Sequence, residues 1–210
     1  MKVLSVQIPA PCPLNCDFCR TPSHNEGNPE KILQSVKDRI NNNGYEEVYI
    51  TSNGETGLSA IFDPLIHFAE ENELDVSVLC ATEFSVIKGL CRVEISLNQY
   101  TEALAIRAVE KAKRLGVPVV ISMVDTNTEI TISLNAVMQK YEVDGVLVRA
   151  LQKEGRSVRK AGSTRWLVRP GVDLGNFPVT AYDEFVFVDA KNTTCINYDG
   201  VVVPMLGGVQ

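Results

Sequence analysis

Apolar residues along this chain follow two alternating rhythms. Short runs rich in Val and Ile fall at residues 3–8, 47–51, 75–81, 92–97, 118–124 and 145–149. Each has the length of a strand, and several are almost continuously apolar. Longer stretches between them space their apolar residues by three and four, which predicts helices. One opens at Asn28 with Pro29 in its first turn, turns Ile32, Leu33, Val36 and Ile40 to one face, and runs out before Gly44. A second begins near Thr101, carries Leu104, Ala108, Val109 and Ala112 inward, and stops at Gly116. Others are expected within 58–71, 83–90 and 131–141. Near-continuous apolar strands separated by helices predict an α/β fold, a parallel sheet covered on both faces. Six such units are too few for a closed eight-stranded barrel.

The rhythm changes after Arg149. Gly, Pro and basic residues dominate 155–175, and strand-like runs return at 184–188 and 193–197. Asp199-Gly200 is a turn signal ahead of Val201-Val202-Val203, so a β-hairpin is expected to end the sequence. Residues 1–151 read as the core, and 152–210 as a C-terminal extension of the same domain, too short for a core of its own.

Composition narrows the class. No apolar run approaches the ~18 residues of a membrane span. The first residues lead directly into a strand with no signal-peptide core, which points to a cytoplasmic protein. A net charge of −6 argues against a generally basic nucleic-acid binder. Between residues 149 and 169, however, Arg149, Lys153, Arg156, Arg159, Lys160, Arg165 and Arg169 face only Glu154. That stretch is either a solvated loop or an anion site. Trp166 within it reads as a packing residue. Gly-rich phosphate loops of the Walker or dinucleotide type are missing, as is His-Glu-x-x-His.

The densest chemistry lies in Cys12-Pro13-Leu14-Asn15-Cys16-Asp17-Phe18-Cys19, a C-x3-C-x2-C run. It follows the first strand, and ligands of parallel α/β sheets gather beyond the carboxyl ends of the strands. Three thiolates are one short of the four ligands that complete a structural zinc or an ordinary cubane cluster. His24 offers a fourth ligand and a Cys3His zinc alternative. Cys80, Cys91 and Cys195 read as packing residues, and His67, inside an apolar helix pattern, as a partly buried one.

This motif resembles the signature of the radical S-adenosylmethionine (SAM) superfamily, C-x3-C-x-Φ-C with Φ aromatic, Phe18 here. The resemblance implies a partial (β/α)6 barrel and a [4Fe–4S] cluster held by Cys12, Cys16 and Cys19, with SAM on the open iron. It implies reductive cleavage of SAM to a 5′-deoxyadenosyl radical that abstracts hydrogen from substrate. A one-electron reductant of flavodoxin or ferredoxin type comes with that chemistry. Asn53-Gly54-Glu55, after the second strand, is similar to the family's Gly-Gly-Glu motif, which holds the methionine end of SAM, with Asn53 replacing the first glycine. Ser96 and Asn98, expected on one face of the fourth strand, match a segment that approaches the ribose or carboxylate. Asn98 stands where the family often has Asp.

An anionic substrate, small molecule or nucleotide, is expected to meet Arg149, with Lys153, Arg156 and Arg169 assisting, because guanidinium groups suit carboxylate and phosphate. A glycyl-radical-enzyme activating protein, acting on a protein partner, is one alternative. A non-catalytic zinc-stabilised binding protein is the other.

Overall fold

The structure is a computed structural model and describes residues 2–16, 19, 27–98, 100–125, 140–150, 179–180, 193–196 and 200–204. The apolar runs become β1 (Val3–Ile8), β2 (Glu47–Ser52), β3 (Asp75–Cys80), β4 (Arg92–Ser96), β5 (Val119–Asp125) and β6 (Gly145–Ala150). Each is parallel to the one before it. With β7 (Val179–Thr180), β8 (Thr193–Ile196) and β9 (Val202–Pro204) they form one sheet in the order β7-β6-β5-β4-β3-β2-β1-β8-β9. From β1 to β6, neighbours in sequence are neighbours in space. Right-handed crossovers therefore always step the same way and lay their helices on one face. A sheet wound in one direction curls into a barrel wall. Among the described residues β7 and β9 end the sheet without pairing to each other, so the barrel is partial.

Strand alternation shows what each face is made of. On one face stand Leu4, Val6 and Ile8 of β1, Val48 and Ile50 of β2, and Val76, Val78 and Cys80 of β3. Val93 and Ile95 of β4 and Val119, Ile121 and Met123 of β5 continue it, and all belong to a single buried core. Helices α1 (Pro29–Asn43), α2 (Phe62–Glu71) and α3 (Glu102–Leu115) supply the other half of that core through Ile32, Val36, Leu65, Ala69, Ala108 and Ala112. Burying an Ile50, Ile95 or Ile121 completely is worth about 1.5–3 kcal/mol each.

The opposite face carries Ser5, Gln7, Glu47, Tyr49, Thr51, Ser77, Glu94, Ser96 and Ser122. Ser5, Glu47, Tyr49, Ser77, Glu94 and Ser122 are buried. The expected pair of apolar faces is therefore replaced by one apolar face under helices and one mainly polar face, which also carries Val3, Leu79 and Val120. In Val3-Leu4-Ser5-Val6-Gln7-Ile8 the alternation was present but masked by Val3. Tyr49 and Glu94 meet across β3, the phenol donating to the carboxylate at 2.8 Å.

Local chemistry explains the helix ends. Asn28 caps α1 by accepting the Lys31 N–H, and Pro29 takes the first helical position. α2 lies within the expected 58–71 and starts at Phe62. Its Pro64 is tolerated only in a first turn, and Ser59 is drawn off to bind Pro9. The helix expected at 83–90 is a 3₁₀ turn over Glu83–Ser85 alone. Val86 and Leu90 mimic helical spacing, but Gly89 stands at φ 94, which an α-helix cannot pass. In α3, Ala105 is buried and Leu104 only half-buried. Most of the helix expected at 131–141, and the strand expected at 184–188, lie outside the described residues.

The expected C-terminal hairpin is β8 and β9, antiparallel through Ile196 and Val202. β8 also pairs parallel with β1, so the extension prolongs the same sheet. Gly200, at φ 71, packs against α1, where the Ser35 hydroxyl donates to its carbonyl at 2.6 Å. No helix among the described residues is long and apolar enough to cross a membrane.

Candidate active site at the carboxyl edge of the sheet

Beyond β1 the chain enters Pro9-Ala10-Pro11 and reaches Cys12. Cys12, Cys16 and Cys19 are half-buried and carry no disulfide. The Cys19 N–H donates to the Cys16 carbonyl at 3.2 Å, which holds these two cysteine backbones together. Phe18 and His24 lie outside the described residues.

The turn after β2 lies directly against this loop. Asn53 accepts the Ala10 N–H on its side-chain oxygen at 3.0 Å, and its own N–H donates to the Ile8 carbonyl at 3.3 Å. The Glu55 N–H donates to the Pro11 carbonyl at 2.9 Å. Gly54 sits where a Cβ would overlap the Ala10 carbonyl oxygen and come within 2.7 Å of the Pro11 oxygen. Glycine is required here by close approach.

The Glu55 carboxylate points the other way. It is 1% exposed and accepts from the Ala81 N–H at 2.9 Å and the Ser85 hydroxyl at 2.7 Å. Thr56 adds a hydroxyl bond to the Leu79 carbonyl, and the Gly57 N–H donates to Ser85 at 2.7 Å. The segments after β1, β2 and β3 are thus joined in series. Ser59, Ser85 and Thr56 are structural partners that sequence reasoning missed, and their serine and threonine identities alone give no signal.

Burial raises the Glu55 carboxyl above its ordinary value of 4.5, against hydrogen bonds from Ser85, Ala81 and Thr82 that lower it. The folded protein keeps this proton at pH values where the unfolded chain has released it. The stabilising contribution is therefore fully present below pH 4.5 and is lost as pH rises through the folded value. Glu55→Gln should abolish that slope. Urea midpoints from pH 4 upward should then show the stability of the native protein, relative to the variant, falling and levelling off. Parallel profiles would refute it.

Ser96 ends β4, half-buried on the polar face. Asn98 does not share a strand face with it, because the strand has already ended. Instead Asn98 accepts the Tyr100 N–H on its side chain at 2.8 Å, and its own N–H donates to the Thr101 hydroxyl at 2.9 Å. That hydroxyl donates in turn to the Ser96 carbonyl at 2.8 Å, tying the turn to the strand end. Arg149 occupies the next-to-last position of β6, in register with Val124. Lys153, Arg156, Arg169 and Trp166 lie outside the described residues. Along the polar face burial relaxes towards this edge, from Ser5 to Gln7, Tyr49 to Thr51 and Glu94 to Ser96. The face opens where the cysteines are.

The remaining cysteines and histidine behave differently. Cys80 faces the helix-covered core, where burial holds its thiol well above the ordinary range. Cys91, at the other end of the sheet, is half-buried and pushed up to about 11 by burial, with the Glu47 carboxylate adding to it. Both disfavour the thiolate that metals require. Cys195 lies on β8. His67 is not buried; it is exposed beside Glu71, 3.2 Å away on the same helix face.

As a donor set, three reduced thiols on one short loop fit an iron–sulfur cluster in kind and number, one ligand short of closure. Among the described residues no three His, Cys, Asp or Glu side chains stand close enough together to hold a metal ion.

No family model and no curated protein sequence matches the chain. Solved structures do match its fold. Streptococcus suis SuiB bound to S-adenosylmethionine aligns with 99% of this chain and 60% of its own, with TM-score 0.62 and 18% identity. Native anSMEcpe with bound AdoMet and Cp18Cys peptide aligns with 99% of this chain and 75% of its own, with TM-score 0.65 and 17% identity. The chain shares the fold of these two proteins, the α/β partial barrel expected from its sequence. It spans 60% of the length of SuiB, so the likeness covers the sheet and its helices but not all of that protein. In a sheet that curls into a barrel wall the helices lie outside, so the apolar face under α1 to α3 is the outward one and the opposite face is the interior.

Proposed function

We propose that the chain is a radical SAM enzyme in which Cys12, Cys16 and Cys19 hold a [4Fe–4S] cluster, leaving one iron for SAM. The observation that carries this reading is the junction of cysteine loop and β2 turn, where the Glu55 N–H meets the carbonyl of Pro11, the residue before Cys12, at 2.9 Å. When bound and reduced, such a cluster supplies one electron to SAM and yields a 5′-deoxyadenosyl radical that takes hydrogen from substrate.

The chain's own groups do the binding and orienting. Backbone carbonyls of the Asn53-Gly54-Glu55 turn receive the methionine amino group, while the side chains of Asn53 and Glu55 keep that turn in place. Phe18, the aromatic residue of the motif, is assigned to cofactor binding. Ser96 and Asn98 approach the ribose or carboxylate, and Gln7 and Thr51 present polar groups at the open end of the interior. Arg149, Lys153, Arg156 and Arg169 bind an anionic small molecule or nucleotide, and a flavodoxin- or ferredoxin-type protein delivers the electron. Residues 1–151 form the core and 152–210 extend the same domain, which the β8–β1 pairing supports. SuiB and anSMEcpe bind SAM, and anSMEcpe also a peptide, which supports SAM as the shared ligand.

The test is anaerobic reconstitution with iron and sulfide, then reduction with SAM, beside Cys16→Ala. About four irons per chain, and deoxyadenosine from the intact protein alone, are expected. Stoichiometric zinc, no cluster and unreacted SAM would overturn the reading.

A further inference from the structure

Residues 8–11 carry the chain from β1 to Cys12, and they are held at every residue from one side. The Ile8 carbonyl accepts the Asn53 N–H at 3.3 Å, and the Pro9 carbonyl accepts the Ser59 hydroxyl at 2.6 Å. The Ala10 N–H donates to Asn53 Oδ1 at 3.0 Å, and the Pro11 carbonyl accepts the Glu55 N–H at 2.9 Å. Pro9 and Pro11 have no N–H, so Ala10 supplies the one backbone donor in Pro9-Ala10-Pro11. Ala10 is 0% exposed, which removes water as a replacement partner. Its N–H therefore depends on an acceptor from the protein, and the acceptor is a side chain 43 residues away.

That side chain belongs to the residue at which this sequence departs from Gly-Gly-Glu. We infer that Asn53 is a positioning residue. Its amide oxygen fixes the Ala10 N–H and so sets the direction in which the chain leaves β1 for Cys12. A glycine would offer only its backbone bond to Ile8 and would leave the Ala10 donor buried and unmatched. Asn53 itself is 6% exposed, so the bond is shielded from competing solvent. The inference rests on the proposed ligand role of the cysteines for its functional meaning. The bond itself belongs to the protein without metal.

The experiment compares the native protein with Asn53→Ala, Asn53→Gly and Asn53→Asp, all metal-free, reduced and anaerobic. Three quantities are read: hydrogen exchange at the Ala10 amide, iodoacetamide alkylation rates of Cys12 and Cys91, and iron and sulfide after reconstitution. Losing the acceptor should speed Ala10 exchange about tenfold or more in the Ala and Gly variants. Cys12 alkylation should rise while Cys91, at the opposite end of the sheet, stays unchanged. Asn53→Asp retains an acceptor oxygen and should restore slow exchange and native Cys12 reactivity.

Unchanged Ala10 exchange in Asn53→Ala overturns the inference. So does a parallel rise at Cys12 and Cys91, which marks general loosening, and so does an Asp variant that behaves like Ala. If the exchange and alkylation pattern appears but reconstitution gives zinc and no cluster, positioning stands and the enzymatic reading fails. The two ideas are thereby separable.

Discussion

Gly54→Ala is expected to displace the cysteine loop and to abolish cluster assembly. The new Cβ would overlap the Ala10 oxygen and lie within 2.7 Å of the Ala10 carbonyl carbon and the Pro11 oxygen. All three are backbone atoms, and residues 8–11 are bonded at each step to the β2 side, so none can swing aside like the tip of a side chain. Overpacking costs about 1–3 kcal/mol. The bonds from Asn53 to Ala10 and from Glu55 to Pro11 would also be drawn apart, at ~1 kcal/mol each. The total is roughly 3–5 kcal/mol, read as a lower urea midpoint. Gly57→Ala separates site from fold. Its Cβ would meet Phe84 and Ser85 backbone atoms at 2.5 Å, on the side of the β2 turn away from the cysteines. That variant should lose comparable stability yet retain iron after reconstitution at a temperature where it is folded. Equal iron retention by both variants would show that the approach at Gly54 does not govern the cysteine loop.

The parts of this architecture legible in the sequence are those written locally. Strand positions came through because Val- and Ile-rich runs, turn residues and helix caps such as Asn28 and Gly116 act within a few residues. The cysteine spacing was equally local. The character of the inner face was harder, since Ser5, Gln7, Ser77 and Ser122 interrupt runs that otherwise look continuous. Counting those interruptions at period two would have revealed a polar face. At 83–90 the spacing of Val86 and Leu90 suggested a helix, and only the left-handed Gly89 shows why the chain cannot make one.

The site was legible as a set of residue types but not as a set of contacts. Asn53, Gly54 and Glu55 read as one ligand-binding motif. In the fold their side chains face different neighbours: Asn53 the loop before Cys12, Glu55 the turn after β3. Those partners are backbone groups 43 and 26 residues away, which no spacing rule encodes. Asn98 was misplaced for a related reason. β4 stops at Ser96, and the Thr101 hydroxyl folds the following residues into a turn.

Arg92→Ala should be the most damaging change far from the cysteines. At the amino end of the polar face, Glu47 is 2% exposed at its side chain and accepts from Arg92 Nη2 at 2.9 Å and from the Ser77 hydroxyl. These three residues link β2, β3 and β4 in one layer. Arg92, 16% exposed, is the cation that compensates the Glu47 carboxylate. Truncating it leaves the buried carboxylate with a serine partner, and breaking a buried pair from one side costs about 3–5 kcal/mol. Replacing both charges with apolar residues of similar volume, as in Glu47→Leu with Arg92→Met, should recover most of that loss, because neither charge then needs desolvating. Urea unfolding of the two single variants and the double variant would measure the coupling. An Arg92→Ala loss under about 1 kcal/mol would mean that Glu47 reaches water and the layer is not a closed one. Cys12 alkylation should be unchanged in folded Arg92→Ala, since this layer lies at the strand ends opposite the cysteine loop. In such barrels the amino end of the strands serves stability and the carboxyl end serves chemistry. A change in Cys12 reactivity would contradict that division for this chain.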